Sequence, residues 1–202
     1  MRRLIACFVT GLAFAAPLAE AQNAKMGQLV GVLTRDDGFQ QTTLITDRGA
    51  LQFAVPGSWK EIQLDFKLPV ANAVFDVPDP SSLSGASNTN CSMAFADPST
   101  PQGQAVIVRV ASFGGNNDAS HNGWDERTRT ETADGVSTVE VVASKPEGFV
   151  TAVAMCAWAK DATHDAAYET YMAKQIDTLL GSVAAAPSPF KPRPGETFFT
   201  PQ

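Results

Sequence analysis

The chain has 202 residues, 44% of them hydrophobic and 18% charged, which is a globular composition and the length of one ordinary domain. Its formal net charge is −6 and its Lys and Arg are scattered. That disfavours nucleic acid, whose recognition leans on phosphate neutralisation, and also anionic lipid surfaces.

At the N-terminus, Arg2 and Arg3 precede an apolar run over residues 4–16, and Ala19-Glu20-Ala21 closes it. A basic start, a short apolar segment and an A-x-A site predict a secretory signal peptide over residues 1–21. The run is too short to span a bilayer core, so the expected mature protein starts near Gln22 and is periplasmic or secreted. About 180 residues then remain, enough to bury roughly 70% of the unfolded surface. Cys7 leaves with the signal. A lipoprotein reading of Leu4-Ile5-Ala6-Cys7 leaves only three residues ahead of the motif and no segment to engage export. Cys91 and Cys156 remain, and outside the cytoplasm an even pair reads as a disulfide. Two buried free thiols are the alternative, because spacing alone does not prove proximity.

The first predicted strands are 42–46 and 50–55, a hairpin about Asp47-Arg48-Gly49. Residues 62–68 alternate strictly: Ile62, Leu64, Phe66 and Leu68 on one side, Gln63, Asp65 and Lys67 on the other. Such alternation marks an antiparallel sheet with one wet face. Residues 78–90 are loop by composition. Strands at 127–132, 136–143 and 149–160 form a meander, turning at Ala133-Asp134-Gly135 and Lys145-Pro146-Glu147-Gly148. The third is apolar on both faces and is expected to be central. A helix then runs from a cap at Thr163 to Leu180, with Gly181 as its stop. Tyr168, Tyr171, Met172, Ile176, Leu179 and Leu180 make one apolar stripe along it. The expected fold is a single α+β domain over residues 25–183: a twisted antiparallel sheet with the C-terminal amphipathic helix packed on one face. Residues 184–202 read as a Pro-rich flexible tail that ends near the aromatic pair Phe198-Phe199.

Phe53-Ala54-Val55-Pro56-Gly57-Ser58-Trp59 resembles the strand, Pro, Gly, Trp entry of PsbP-like proteins. These are exported or lumenal α/β/α sandwiches built on an antiparallel sheet. The hairpin, meander and closing helix stand in the family's order. The resemblance implies an assembly or adaptor role, with no fixed catalytic residues to transfer.

The segment 114–126 is the richest in polar side chains. Asp118, Ser120, Asn122 and Gly123 fall on positions one, three, five and six of an EF-hand loop, but the twelfth position holds Arg129 instead of a bidentate Glu. A looser calcium site between Asn116 and Glu126 competes with a turn whose Asn, Asp and Ser bond their own backbone. Cys91, Cys156, His121 and His164 match no zinc-ligand spacing. No G-x-S-x-G elbow, dinucleotide fingerprint or phosphate loop occurs, and a carboxylate pair is neither indicated nor excluded.

Trp is enriched at recognition surfaces, which makes Trp124, with Phe198 and Phe199, the candidate partner contacts; a Trp124 ring that covers the helix or loop is the alternative, because an amphipathic ring suits either role. Trp59 reads instead as a plug at the end of the sheet. The expectation is an exported, non-enzymatic protein-binding module of adaptor, inhibitor or immunity type, without a cofactor, acting on another envelope protein. A small-ligand or calcium carrier using residues 116–126 and a carboxylate-based hydrolase are the alternatives.

Overall fold

A computed structural model describes residues 29–34, 38–45, 49–62, 70–78, 89–117, 122–160 and 166–187. Strands dominate, and every pairing is antiparallel. In chain order they are β1 (Leu29–Thr34), β2 (Phe39–Ile45), β3 (Gly49–Pro56), β4 (Lys60–Ile62), β5 (Ala71–Asp76) and β6 (Asn90–Ala96). Helix α1 (Pro101–Ala111) follows, then β7 (Asn116–Asn117), β8 (Asp125–Ala133), β9 (Val136–Glu147) and β10 (Val150–Lys160). Helix α2 (Ala166–Gly181) and β11 (Ala184–Pro187) complete them.

The single sheet expected from the sequence is two sheets. One runs β1-β2-β3-β11, the other β4-β5-β6-β10-β9-β8-β7. They separate at Pro56-Gly57-Ser58, where Trp59 N–H donates to the Pro56 carbonyl and Gly57 N–H to that of Gly38. This reversal stops β3 and sends the chain into β4, which pairs with β5 instead. The strand predicted over 62–68 has its first residue in β4, and its remainder lies outside the described residues.

The 42–46/50–55 hairpin is present as β2–β3, in register from Phe39↔Pro56 to Ile45↔Ala50. The meander is present as β8, β9 and β10. Asp134 and Gly135 both have positive φ, 53° and 78°, which gives the two-residue hairpin turn whose twist matches its strands. The next turn is shorter than predicted. Lys145, Pro146 and Glu147 belong to β9, and the chain reverses at Gly148-Phe149, with Gly148 at φ 62°. Pro146 is tolerated there because β8 stops pairing with β9 at Ser144, so the missing N–H falls where no neighbour needs it. β10 is indeed central, between β6 and β9.

Alternation sorts the seven-stranded sheet into two faces. Met93, Phe95, Val141, Ala143, Ala152, Ala154 and Trp158 join one buried cluster with Leu51 and Phe53 of β3 and with Met172, Ile176 and Leu179 of α2. Ser182, just beyond α2, accepts from Ala54 N–H at 2.7 Å and donates to the Leu179 carbonyl at 2.7 Å. β11 pairs with β3 only as far as Gln52, so this hydroxyl supplies the acceptor that the strand no longer does. Residues 184–187, assigned to the tail from sequence, thus form a strand on β3. The helix cap expected at Thr163 lies outside the described residues.

The opposite face carries Ala94, Ala96, Val142 and Val153, which pack with Val106, Ile107, Val110 and Phe113 of α1 and its C-terminal end. Sequence reasoning did not anticipate α1. Its start is well built: Thr100 accepts from Gly103 N–H at 3.0 Å, Pro101 takes the first helical position, and Asp97 accepts from the Ser99 N–H and hydroxyl. Gly103 packs against the turn before the helix, so tightly that a Cβ there would collide with the Asp97 carbonyl. In an ordinary helix Gly→Ala is stabilising by about 1 kcal/mol. Here Gly103→Ala is expected to destabilise by roughly 1–3 kcal/mol, the range for overpacking. A urea melt of the variant checks the sign.

Candidate functional site: the open half of the outer sheet face

Arg127 fixes where α1 ends on the outer face. Its Nη1 donates to the carbonyls of Ala111 and Phe113, at 2.9 and 3.1 Å, while Nη2 pairs with Asp125 at 3.0 Å. A cation on the last carbonyls of a helix satisfies groups that lack partners within it. Arg129 bonds Glu140 through Nε at 2.6 Å and Glu131 through Nη1 at 3.1 Å, and its guanidinium lies 4.1 Å from the centre of the Phe113 ring. Exposed pairs of this kind add little stability singly. Their value here is positional, since they pin Phe113 and the helix end to one side of the sheet.

Among the described residues the helix covers the part of this face around Ala96, Val142 and Val153 and does not reach Met155. Sheet register runs Ile62, Val74, Ser92, Met155 and Val142 along one row. Val142 is buried beneath α1, whereas Met155 is 45% exposed although it sits mid-strand in β10. Ile62, Val74, Ser92 and Ala157 around it are half-buried. The neighbouring row supplies a polar border: Lys60, Asp76, Asn90 and Glu140. An apolar strip with a polar rim has the layout of a contact surface. The sequence concealed it, because the apolar run of β10 reads as covered on both sides and α1 was not foreseen.

The predicted site residues fall elsewhere. Cys91 and Cys156 form a disulfide between directly paired positions of β6 and β10, with Cα atoms 4.1 Å apart. Trp124 is not a surface residue. It is 1% exposed, and its Nε1 donates to the Leu180 carbonyl at 3.1 Å. Two positive-φ residues, Asn122 (51°) and Gly123 (84°), turn the chain just before it and carry the ring inward. Trp59 is buried against Phe75, at a ring separation of 6.2 Å. Phe198, Phe199, His121 and His164 lie outside the described residues.

The 116–126 segment is only partly loop. Asn116 and Asn117 form β7 on β8, residues 118–121 lie outside the described residues, and Asp125 and Glu126 begin β8. Asp125 is occupied by Arg127. Among the described residues no group of three or more His, Cys, Asp or Glu is placed to hold a metal. Glu131 and Glu140 are joined through Arg129. No described helix is long and apolar enough to cross a membrane.

No family model matches this chain, and no curated protein matches it. Its own residues therefore carry the functional reading.

Proposed function

We propose that this is an exported, non-enzymatic module that binds another envelope protein through the open half of the outer sheet face. Met155 carries the reading. It is an apolar residue left 45% exposed in the centre of a seven-stranded sheet, with half-buried Ala157 beside it and half-buried Val74 and Ile62 on the same row beyond Ser92. Contiguous apolar surface with a polar border is the usual mark of an interaction site. The flexible thioether of Met suits contact with a partner surface that it must fit. Export is supported by the N-terminal segment and by the Cys91–Cys156 disulfide, a bond that persists in oxidising compartments. The adaptor, inhibitor or immunity-type role accords with the PsbP-like entry motif at residues 53–59. In this reading α2 packs on the inner face of the seven-stranded sheet and α1 on the outer, as in an α/β/α sandwich.

Met155→Lys places a charge in the middle of the strip. It is expected to weaken binding to whichever envelope protein is recovered with the unsubstituted protein by about 30-fold, equivalent to a hot spot of about 2 kcal/mol. Stability is expected to stay within about 0.5 kcal/mol, as for an ordinary surface change. Val136→Lys, at the exposed tip of the β8–β9 hairpin, serves as the control and is expected to bind normally. Titration of both variants decides the matter: equal affinity for Met155→Lys and the unsubstituted protein removes the basis of the proposal.

A further inference from the structure

We propose that Met155 is a site of reversible methionine oxidation, and that conversion of its thioether to the sulfoxide releases the partner from the outer sheet face. The modification stands on the fold alone, and its consequence for binding rests on the function proposed above.

Exposure singles out one sulfur. Three methionines lie among the described residues: Met93 and Met172 are 0% exposed, and Met155 is 45% exposed. Cys91 and Cys156 are bonded to each other and buried, so neither offers a thiol. Oxidation of sulfur in a folded protein follows its exposure, and an oxidant that reaches this surface meets Met155 first. The middle of a strand has no need of methionine, since β-branched side chains suit it better. Val74, Val142 and Val153 on the same face follow that preference, and their hydrocarbon side chains are inert to peroxide. Met155 sets an oxidisable group among them.

The reaction takes hydrogen peroxide or another two-electron oxidant. The sulfur lone pair attacks one peroxide oxygen, and the S–O bond forms as the O–O bond breaks. Sulfur is oxidised by two electrons and the peroxide is reduced to water. The product is polar and chiral where the side chain was apolar. In the free protein, water solvates the new oxygen, and the Ser92 hydroxyl stands directly opposite on β6 as a cross-strand donor. A partner seated on the apolar strip expels that water, and a polar group buried without its hydrogen bonds disfavours the complex. Oxidation thus spares the fold and penalises the bound state. A seated partner in turn shields the sulfur, so the complex resists peroxide better than the free protein.

The test treats the protein expressed from its complete chain with hydrogen peroxide and maps its peptides by mass spectrometry. Met155 is expected to gain one oxygen while Met93 and Met172 stay unmodified and the melting curve stays in place. The oxidised protein is then titrated with the envelope protein that is recovered with the unsubstituted protein. Affinity is expected to fall at least about tenfold, and to return after treatment with methionine sulfoxide reductases A and B, which act on one sulfoxide epimer each. Met155→Leu, whatever its own affinity, is expected to be indifferent to peroxide. That control removes damage at any other position, including Met26, which lies outside the described residues. Oxidation of Met93 or Met172 as fast as that of Met155 would overturn the assigned site. Selective oxidation that leaves affinity unchanged, where Met155→Lys weakens it, would overturn the switch and leave the binding surface standing. If Met155→Lys also binds normally, the surface falls and the switch falls with it.

Discussion

Replacing Cys91 and Cys156 together by alanine is expected to lower the free energy of unfolding by about 4 kcal/mol. The bridge spans 65 residues of sequence, and the chain-entropy estimate for a closed loop of that size is about 4 kcal/mol. It ties β6 to β10, the two strands at the middle of the seven-stranded sheet. Both half-cystines are buried, at 1% and 4% exposure, so the variant also loses packing where the cluster is dense. For a domain of this size each kcal/mol moves the melting temperature by about 2–4 °C, which puts the expected fall at roughly 8–16 °C. Thermal melts of the variant, and of the unsubstituted protein with and without reductant, measure it. An unchanged melting temperature would mean that the native strands hold this register without help from the bond.

Trp124→Ala is expected to cost about 3–5 kcal/mol, the range for deleting a buried aromatic. Trp124 is among the largest fully buried side chains and belongs to the same cluster as Leu179 and Leu180 of α2. Its indole also donates to the Leu180 carbonyl at 3.1 Å, one of the last in that helix, which otherwise accepts only the longer Val183 N–H bond of 3.4 Å. Trp124→Phe separates the two contributions. It keeps most of the ring but removes the shorter of the two hydrogen bonds to the Leu180 carbonyl, a loss of about 1 kcal/mol. Trp158 is the natural comparison, because its Nε1 is buried without a hydrogen-bond partner. Trp158→Phe removes a donor that gains nothing in the folded state, so the relief offsets part of the lost volume. It is expected to cost less than Trp124→Phe. Urea denaturation of the pair gives the difference, and equal losses would contradict the role assigned to the Leu180 bond.

Where local signals and tertiary environment agreed, the fold was readable from the sequence. The β2–β3 hairpin and the β8–β9–β10 meander have short connections and turn residues that demand special backbone angles, as at Asp134-Gly135. The buried residues Tyr168, Met172, Ile176, Leu179 and Leu180 of α2 follow helical spacing cleanly. Three features were not readable, each for a definable reason. Helix α1 contains Ala105-Val106-Ile107-Val108, a β-branched run that favours strand. The cap at Thr100 and the Ala96–Val142–Val153 patch that the helix covers override that preference. The division into two sheets depends on β4 pairing with β5 instead of continuing β3, and β11 joins β3 from a distant part of the chain; neither pairing leaves a local pattern. Trp124 sits in a segment of turn residues, whose composition does not distinguish a ring tucked inward from one left outside, and its 1% exposure and bond to the Leu180 carbonyl show that it is inward. The candidate surface was hidden for the same reasons. Met155 looks like any other core residue of β10 until the coverage of α1 is known to stop short of it.

Site-specific photo-crosslinking in the host envelope tests the functional account most directly. A photoreactive residue is placed at position 155 and, in separate strains, at the exposed positions 108 and 136. The account predicts that position 155 cross-links to one discrete envelope protein, that positions 108 and 136 do not, and that the adduct disappears when Val74 on the same row is changed to Lys. Cross-linking that is equally strong from all three positions, or absent from 155 alone, would contradict it.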